Sequence, residues 1–162
     1  MVRGGAAGGA LPRGYRVWGC EFLLGVWGGL PDRAVVRVLL IDDEAAGRVA
    51  MARLLRSCGA KVVGEAEDGA VGLEVLRGLG ADGADLIITD CQMPKMDGIT
   101  FTAAVRAAGD RTPVLMLSAQ GHFQVIDAAR AAGVSRYLRK PVEMGALVEA
   151  IWQLTGVLIK AA

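Results

Sequence analysis

Five side chains that could take part together in chemistry follow short apolar segments of this sequence. They are three carboxylates, a hydroxyl and an ammonium: Asp42, Asp43, Asp90, Ser118 and Lys140. Two bare carboxylates about 4 Å apart repel each other by about 4 kcal/mol at an effective dielectric constant of about 20. That repulsion would keep one of them protonated at neutral pH unless a cation lay between them. Because the ligands on offer are oxygens, the pattern favours Mg²⁺.

The segments that carry these residues have the length and composition of buried β-strands. Between them, apolar residues at 51–58 and 101–108 follow the i, i+3, i+4, i+7 spacing of amphipathic helices, which Gly59 and Gly109 end. Three further helices are predicted near 69–79, 125–133 and 147–154. The predicted strands cover residues 36–41, 61–66, 85–89, 113–118 and 136–139.

Five strands that alternate with five helices predict an α/β fold with a doubly wound parallel sheet. In such sheets, ligands bind outside the carboxyl ends of the strands. We therefore expect the five polar side chains to converge on one edge. A simpler interpretation stays open for each acid taken singly, since Asp43 or Glu44 could only cap the helix that follows.

The overall charge gives no sign of a polyanionic partner. Lys and Arg total 18 against 17 Asp and Glu, a formal net charge of +1, so we expect neither nucleic acid nor a membrane surface as a partner. The three cysteines are odd in number and lack the paired spacing of a zinc site. They indicate buried thiols in a reducing compartment, and hence a cytoplasmic protein.

Residues 1–34 differ in composition from the rest of the chain. Nine of the first 30 residues are glycine, and Trp18 and Trp27 lie among them. The apolar patch at 17–30 is broken by Glu21 and several glycines, and it is shorter than the roughly 20 residues that span a membrane. We expect a disordered extension, or a mis-assigned start, before a domain at 35–157 and a short tail at 158–162.

Asp90 lies in the segment LIITDCQMPKMDGITF, which resembles the phosphoacceptor segment of bacterial response-regulator receiver domains. The segments VLLIDDE, VLMLSA and YLRKP resemble the other signature segments of that family and occur in the same order. The resemblance covers Val36 to about Gly156. It implies a flavodoxin-like sheet with strand order 2-1-3-4-5 and five helices. Only six residues follow Gly156, so we expect a stand-alone, chemotaxis-type receiver.

The resemblance also implies a role for each polar strand end. Asp90 would be the nucleophile that accepts a phosphoryl group from a histidine kinase or a histidine phosphotransfer protein. Mg²⁺ would be held by Asp43, Asp90 and the backbone carbonyl of Gln92, with Asp42 acting directly or through water. Lys140 and Ser118 would contact the other phosphoryl oxygens, which agrees with the general chemistry of phosphoryl transfer. The family also places a cis peptide between residues that match Lys140 and Pro141.

The same resemblance implies which surface passes the signal on and which residues affect how long the phosphoryl group lasts. Ser118 and Tyr137 would couple phosphorylation to the face formed by the fourth helix, fifth strand and fifth helix, which would switch the binding of an unknown target protein. Gln92 and Gln120 match positions beside the path of attacking water, so we expect them to tune hydrolysis without acting as bases. The protein would be a monomer or weak dimer, and its only catalysis would be its own phosphorylation and dephosphorylation.

Three other functions fit part of the pattern. The receiver could act as a phosphate carrier or sink in a phosphorelay. A haloacid-dehalogenase-type phosphatase also uses an Asp nucleophile, Mg²⁺, a hydroxyl and a lysine. It needs Asp-x-Asp on the first strand, however, and residues 42–44 are Asp-Asp-Glu. A flavodoxin-like nucleotide binder is disfavoured because its phosphate-binding turn is glycine-rich, whereas the turn after the first strand here is acidic.

Overall fold

A computed structural model describes residues 35–80, 83–119 and 123–159, without the side chains of 123 and 124. Strands and helices alternate along this part of the chain, as the sequence predicts. The strands are β1 (Arg37–Ile41), β2 (Lys61–Ala66), β3 (Leu86–Asp90), β4 (Val114–Ser118) and β5 (Arg136–Arg139). The helices are α1 (Ala45–Ser57), α2 (Gly69–Gly78), α3 (Gly98–Ala107), α4 (Phe123–Ala132) and α5 (Met144–Thr155).

The five strands form one parallel sheet in the order β2-β1-β3-β4-β5. This confirms the predicted fold class and strand order. The sequence places the strand boundaries within one residue, and the only change at the site is that Asp90 is the last residue of β3 and not the first residue after it. All carboxyl strand ends therefore lie at the same edge of the sheet.

Side chains of the central strands point alternately to the two faces of the sheet, and both faces are covered by helices. On one face, Leu40 of β1 belongs to a buried cluster with Leu55 of α1 and Ile151 of α5. On the other face, Leu39 of β1 belongs to a cluster with Phe101 of α3. Burial on both faces explains why these strands are almost continuously apolar in sequence.

Each helix ends within one residue of its predicted end, whereas α1 begins six residues and α3 and α5 begin three residues before the predicted stretches. α1 and α3 end two residues before Gly59 and Gly109, whose φ angles of 88° and 81° other residues rarely adopt. The predicted helix near 69–79 is present as α2, and Asp68 caps it by accepting a hydrogen bond from the N–H of Val71 at 2.9 Å. No helix within the described ranges is long and apolar enough to cross a membrane.

Three predictions fall on residues outside the described part of the chain. They are the disordered or mis-assigned segment 1–34, most of the tail at 158–162, and the position of Gln120.

Candidate functional site

The parallel sheet brings three carboxylates together at its carboxyl edge. One oxygen atom from each of Asp42, Asp43 and Asp90 lies within 4.8 Å of the other two. Asp42 is buried, Asp90 is half-buried and Asp43 is exposed, so the cluster opens toward solvent on one side. This is the convergence that the sequence predicts for the ends of the first and third strands.

Lys140 supplies the cation of this edge. Its Nζ lies 2.7 Å from Oδ2 of Asp90 and 3.1 Å from Oδ2 of Asp42. Burial acts to lower the pKa of Lys140, but the hydrogen bonds and charges of Asp90 and Asp42 outweigh it, and its pKa lies above the usual value. Lys140 is therefore an ammonium ion at neutral pH, and it contacts two of the three carboxylates.

Backbone N–H groups orient two of the carboxylates. Oδ1 of Asp90 accepts a hydrogen bond from the N–H of Cys91 at 2.6 Å, and Oδ1 of Asp42 accepts one from the N–H of Glu44 at 2.9 Å. In both residues Oδ2 is the atom that faces Lys140. One oxygen of each carboxylate is thus held by its own chain, while the other is directed toward the shared site.

Helix capping does not account for the acids after β1. Glu44 occupies the N-cap position of α1, but its side chain makes no capping hydrogen bond. The helix begins at Ala45 without an acidic residue in its first turn. The alternative interpretation of Asp43 and Glu44 as caps is therefore not supported, and the cost of placing the acids together needs another explanation.

Ser118 and Lys140 are placed by the last hydrogen bonds of the sheet. The N–H of Lys140 donates to the carbonyl of Ser118 at 2.8 Å, and the N–H of Cys91 donates to the carbonyl of Leu117 at 2.8 Å. Ser118 is buried at the end of β4. The peptide bond between Lys140 and Pro141 is cis, as the resemblance implies.

The other predicted residues lie beside this cluster. Gln92 is exposed in the loop that follows β3. Tyr137, in the middle of β5, packs against a small buried cluster that contains Cys91, Met116 and Ala129. Burial raises the pKa of the Cys91 thiol, and this outweighs its hydrogen bond with Ser118, which acts to lower it. Cys91 is therefore a protonated, buried side chain, as expected of a thiol that fills space.

Sequence reasoning missed Arg48 and Lys95, two residues that hold the loops of the site. Arg48 donates from Nη1 to the carbonyl of Asp42 at 2.5 Å, and this hydrogen bond holds the end of β1 from the second turn of α1. Gly98, at the end of the loop that follows β3, starts α3 directly against Asp90, because a Cβ there would collide with the backbone oxygen of Asp90. Lys95 pairs with Asp68 across two loops. Only the capping role of Asp68, immediately before a predicted helix, carried a sequence signal.

The three carboxylates and the lysine lie at the carboxyl ends of the strands, where α/β proteins with a doubly wound sheet bind their ligands. The family model of the response regulator receiver domain matches residues 38–152. The chain belongs to this family, whose role is two-component signalling. This confirms the family that the signature segments indicate.

Individual relatives agree with this assignment. The chain is 40% identical over 111 residues to the two-component response regulator ORR41 of Oryza sativa subsp. japonica, a match that covers 68% of this chain and 87% of that protein. It is 39% identical over 122 residues to the transcriptional regulatory protein PdtaR of Mycobacterium tuberculosis, covering 74% of this chain and 57% of PdtaR. This chain thus spans just over half the length of PdtaR.

A solved structure supports the same family assignment. The signal receiver domain of the response regulator NarL from Mycobacterium tuberculosis matches with a TM-score of 0.70 and 33% identity. That match covers 76% of this chain and 98% of the NarL domain. The likeness therefore extends over nearly a complete receiver domain.

Proposed function

We propose that this receiver domain is phosphorylated on Asp90 by a histidine kinase or a histidine phosphotransfer protein and that the phosphoryl group changes its binding to a target protein. The observation that carries the proposal is the contact of Lys140 Nζ with Asp90 Oδ2 at 2.7 Å, beside the oxygens of Asp42 and Asp43. A half-buried carboxylate between a cation and two further acids is suited to forming a metal-assisted phosphoanhydride.

The residues present fit a magnesium ion. Three carboxylates reach one another within 4.8 Å, and Mg²⁺ prefers oxygen ligands and keeps several of its waters. Asp43, Asp90 and the carbonyl of Gln92 would hold the ion, and Asp42 would bind it directly or through water. When bound, Mg²⁺ would neutralise the charge that develops on the phosphoryl oxygens.

In the reaction, an oxygen of Asp90 attacks the phosphorus atom of the donor while the bond from phosphorus to the leaving group breaks. The ammonium of Lys140 stays protonated and pairs with a phosphoryl oxygen, and the hydroxyl of Ser118 donates a hydrogen bond to another. With acetyl phosphate as donor, acetate leaves and an aspartyl phosphate forms. Water later hydrolyses that anhydride, and Gln92 and Gln120 would limit its access to the phosphorus.

The output would use the face formed by α4, β5 and α5. Ser118 ends β4 and Tyr137 lies in β5, beside a cluster that includes Ala129 of α4. A hydroxyl drawn toward the phosphoryl group would change the packing of this cluster, which links the acceptor to a surface. The protein is then a signalling protein in the cytoplasm, whose only catalysis is of its own phosphorylation and dephosphorylation.

Intact-mass measurement tests the proposal. The full chain is incubated with acetyl phosphate and Mg²⁺, beside an Asp90→Asn variant and an Asp85→Asn variant that changes a carboxylate just before β3. A labile adduct of about 80 Da is expected on the wild type and on Asp85→Asn, and on neither Asp90→Asn nor a sample with chelator. An adduct that persists in Asp90→Asn would contradict the assignment of the acceptor.

A carrier or sink role predicts the same adduct but different partners. In that case, phosphorylated protein would pass the group back to a histidine phosphotransfer protein without binding a target more tightly. The phosphatase alternative is disfavoured, because the chain belongs to the receiver family over residues 38–152. Steady release of phosphate from a phosphate monoester over many turnovers would support the phosphatase alternative instead.

A further inference from the structure

The loop that follows the acceptor strand is fastened at its far side to the turn that follows β2. Lys95 of this loop reaches across with Nζ 2.9 Å from Oδ2 of Asp68 and 3.7 Å from Oε1 of Glu67. A second contact lies beside it, since the N–H of Gly69 donates to the carbonyl of Met96 at 3.0 Å. Two neighbouring residues of the acceptor loop are thus attached to one turn.

Asp68 offers Lys95 an unusual partner, because its side chain is only 1% exposed. Its Oδ1 accepts the hydrogen bond that caps α2, which leaves Oδ2 to the ammonium. The hydrogen bond from the N–H of Val71 lowers the pKa of Asp68, and Lys95 lowers it further. The carboxylate of this ion pair is therefore buried and hydrogen-bonded, whereas the ammonium of Lys95, whose side chain is 65% exposed, reaches it from solvent.

The backbone of Lys95 is also unusual. Its φ angle is 61°, and Lys95 is the one residue other than glycine with a positive φ within the described ranges. A lysine in this region costs about 1 kcal/mol relative to glycine. The chain keeps a lysine where glycine would be easier to accommodate, which indicates that the side chain contributes something that glycine cannot.

The position of the contact indicates what that contribution is. Gln92, whose carbonyl the proposed function assigns to the metal, lies between Asp90 and Lys95 in sequence. The near end of the loop is held by the N–H of Gly98, which donates to the carbonyl of Cys91 at 3.0 Å. The far end is held by Lys95 and Met96, so little freedom remains for the peptide units between them.

We propose that Lys95 and Asp68 are positioning residues of the metal site, which hold the loop after β3 against the turn after β2 and thereby keep the carbonyl of Gln92 in place as a metal ligand. The inference rests on the proposed function, because it assumes the metal and the acceptor. Its readout is the dissociation constant of Mg²⁺, measured by calorimetry on the full chain.

Two variants remove the ammonium in different ways. Lys95→Met keeps a long side chain at the strained backbone position, whereas Lys95→Gly relieves the strain and so is expected to melt at an equal or higher temperature than Lys95→Met. Both should raise the Kd of Mg²⁺ about tenfold, at the lower end of the effect of residues that support metal ligands. Removal of the positive charge of Lys95 would by itself strengthen the binding of Mg²⁺. Weaker binding therefore cannot result from the change in charge.

The matched control is Lys61→Met, which removes an exposed lysine at the opposite edge of the sheet and should leave the Kd unchanged. Asp68→Asn keeps a residue that can cap α2 but loses the charge, and should weaken Mg²⁺ binding in the same direction. The double variant Lys95→Met with Asp68→Asn should bind Mg²⁺ no more weakly than the weaker single variant, because both changes break one contact.

Phosphorylation by acetyl phosphate separates positioning of the metal from a general loss of structure. The rate in Lys95→Gly should fall at limiting Mg²⁺ and return to the wild-type rate at saturating Mg²⁺. An unchanged Kd in both Lys95 variants, or a slow rate that persists at saturation, would overturn the positioning role while the wild-type adduct leaves the proposed function intact. Failure of the wild type to bind Mg²⁺ would overturn both.

Discussion

The two edges of the sheet use polar side chains in opposite ways. At the amino edge, these side chains accept hydrogen bonds from backbone N–H groups of the strands. Asp85 accepts from the N–H of Arg37 at 2.8 Å, and Ser135 accepts from the N–H of Val114 at 3.1 Å. At the carboxyl edge, Asp42, Asp43 and Asp90 lie close together although like charges repel, and Lys140 contacts Asp42 and Asp90. One edge completes the hydrogen bonding of the backbone, and the other keeps three like charges close together, as the proposed metal site would require.

Arg106 is the clearest case of the stabilising arrangement. From the end of α3, its guanidinium donates four hydrogen bonds to the carbonyls of Asp110, Thr112 and Gly133, at 2.9–3.2 Å. It thereby joins the loops before β4 and β5. These carbonyls have no role in phosphoryl transfer, so this edge allows a test of stability without loss of the proposed chemistry.

The largest effect on stability is expected from Arg106→Met. Loss of hydrogen bonds from a charged donor to several carbonyls should lower the free energy of unfolding by about 2–4 kcal/mol. Urea denaturation measures this change, and Arg53→Met on the exposed face of α1 is the control, with an expected change within about 0.5 kcal/mol. Phosphorylation of the folded variant should proceed at the wild-type rate; a large loss of rate would show that the two edges are not independent.

A change of opposite sign is expected at the carboxyl edge. Asp43→Asn removes one of three carboxylates whose oxygens lie within 4.8 Å of one another, so in chelator it should raise the free energy of unfolding by about 1 kcal/mol, or a few degrees in Tm. Excess Mg²⁺ should raise the Tm of the wild type but not of Asp43→Asn, because the ion stabilises only a chain that binds it.

Thermal melts with chelator and with Mg²⁺ test this difference. Glu74→Gln, which neutralises an exposed acid on α2, serves as the control and should respond to Mg²⁺ as the wild type does. If Asp43→Asn were less stable than the wild type in chelator, the acids of this edge would not be a source of repulsion.

The smallest effect concerns pH. The pKa of Asp68 lies below its usual value of 3.8 because of the N–H of Val71 and then Lys95. A carboxylate with a lowered pKa stabilises the fold above the pKa of the unfolded state, and this contribution is lost as the pH falls through the folded pKa. The wild type should therefore be more stable than Asp68→Asn at neutral pH, and the difference should shrink at acid pH.

Urea denaturation across the acid range measures that difference. The control Glu67→Gln changes an exposed carboxylate at 3.7 Å from the same lysine, and it should alter stability less at every pH. A difference between wild type and Asp68→Asn that did not depend on pH would mean that the charge of Asp68 contributes nothing to folding.

Local sequence patterns were enough to predict the strands and helices of the fold. Apolar runs marked β1, β3 and β4 because both faces of these strands are buried, and glycines marked the ends of α1 and α3 because they adopt positive φ. The polar residues at the ends of the strands predicted most of the candidate site in the same way. Arg106, Arg48 and Lys95 left no such mark, because their partners are backbone carbonyls or a carboxylate on another loop.

The sequence by itself determined the α/β class, the order of the elements, and the five side chains at the ends of the strands. These features could be predicted because helices and strands are marked by the spacing of apolar residues close together in the sequence. Only the tertiary structure decided which oxygen of Asp42 and of Asp90 faces Lys140, and that Lys95 joins the loop after β3 to Asp68. These contacts join residues that are far apart along the chain, so their distances follow from strand register and loop packing, which no local pattern encodes.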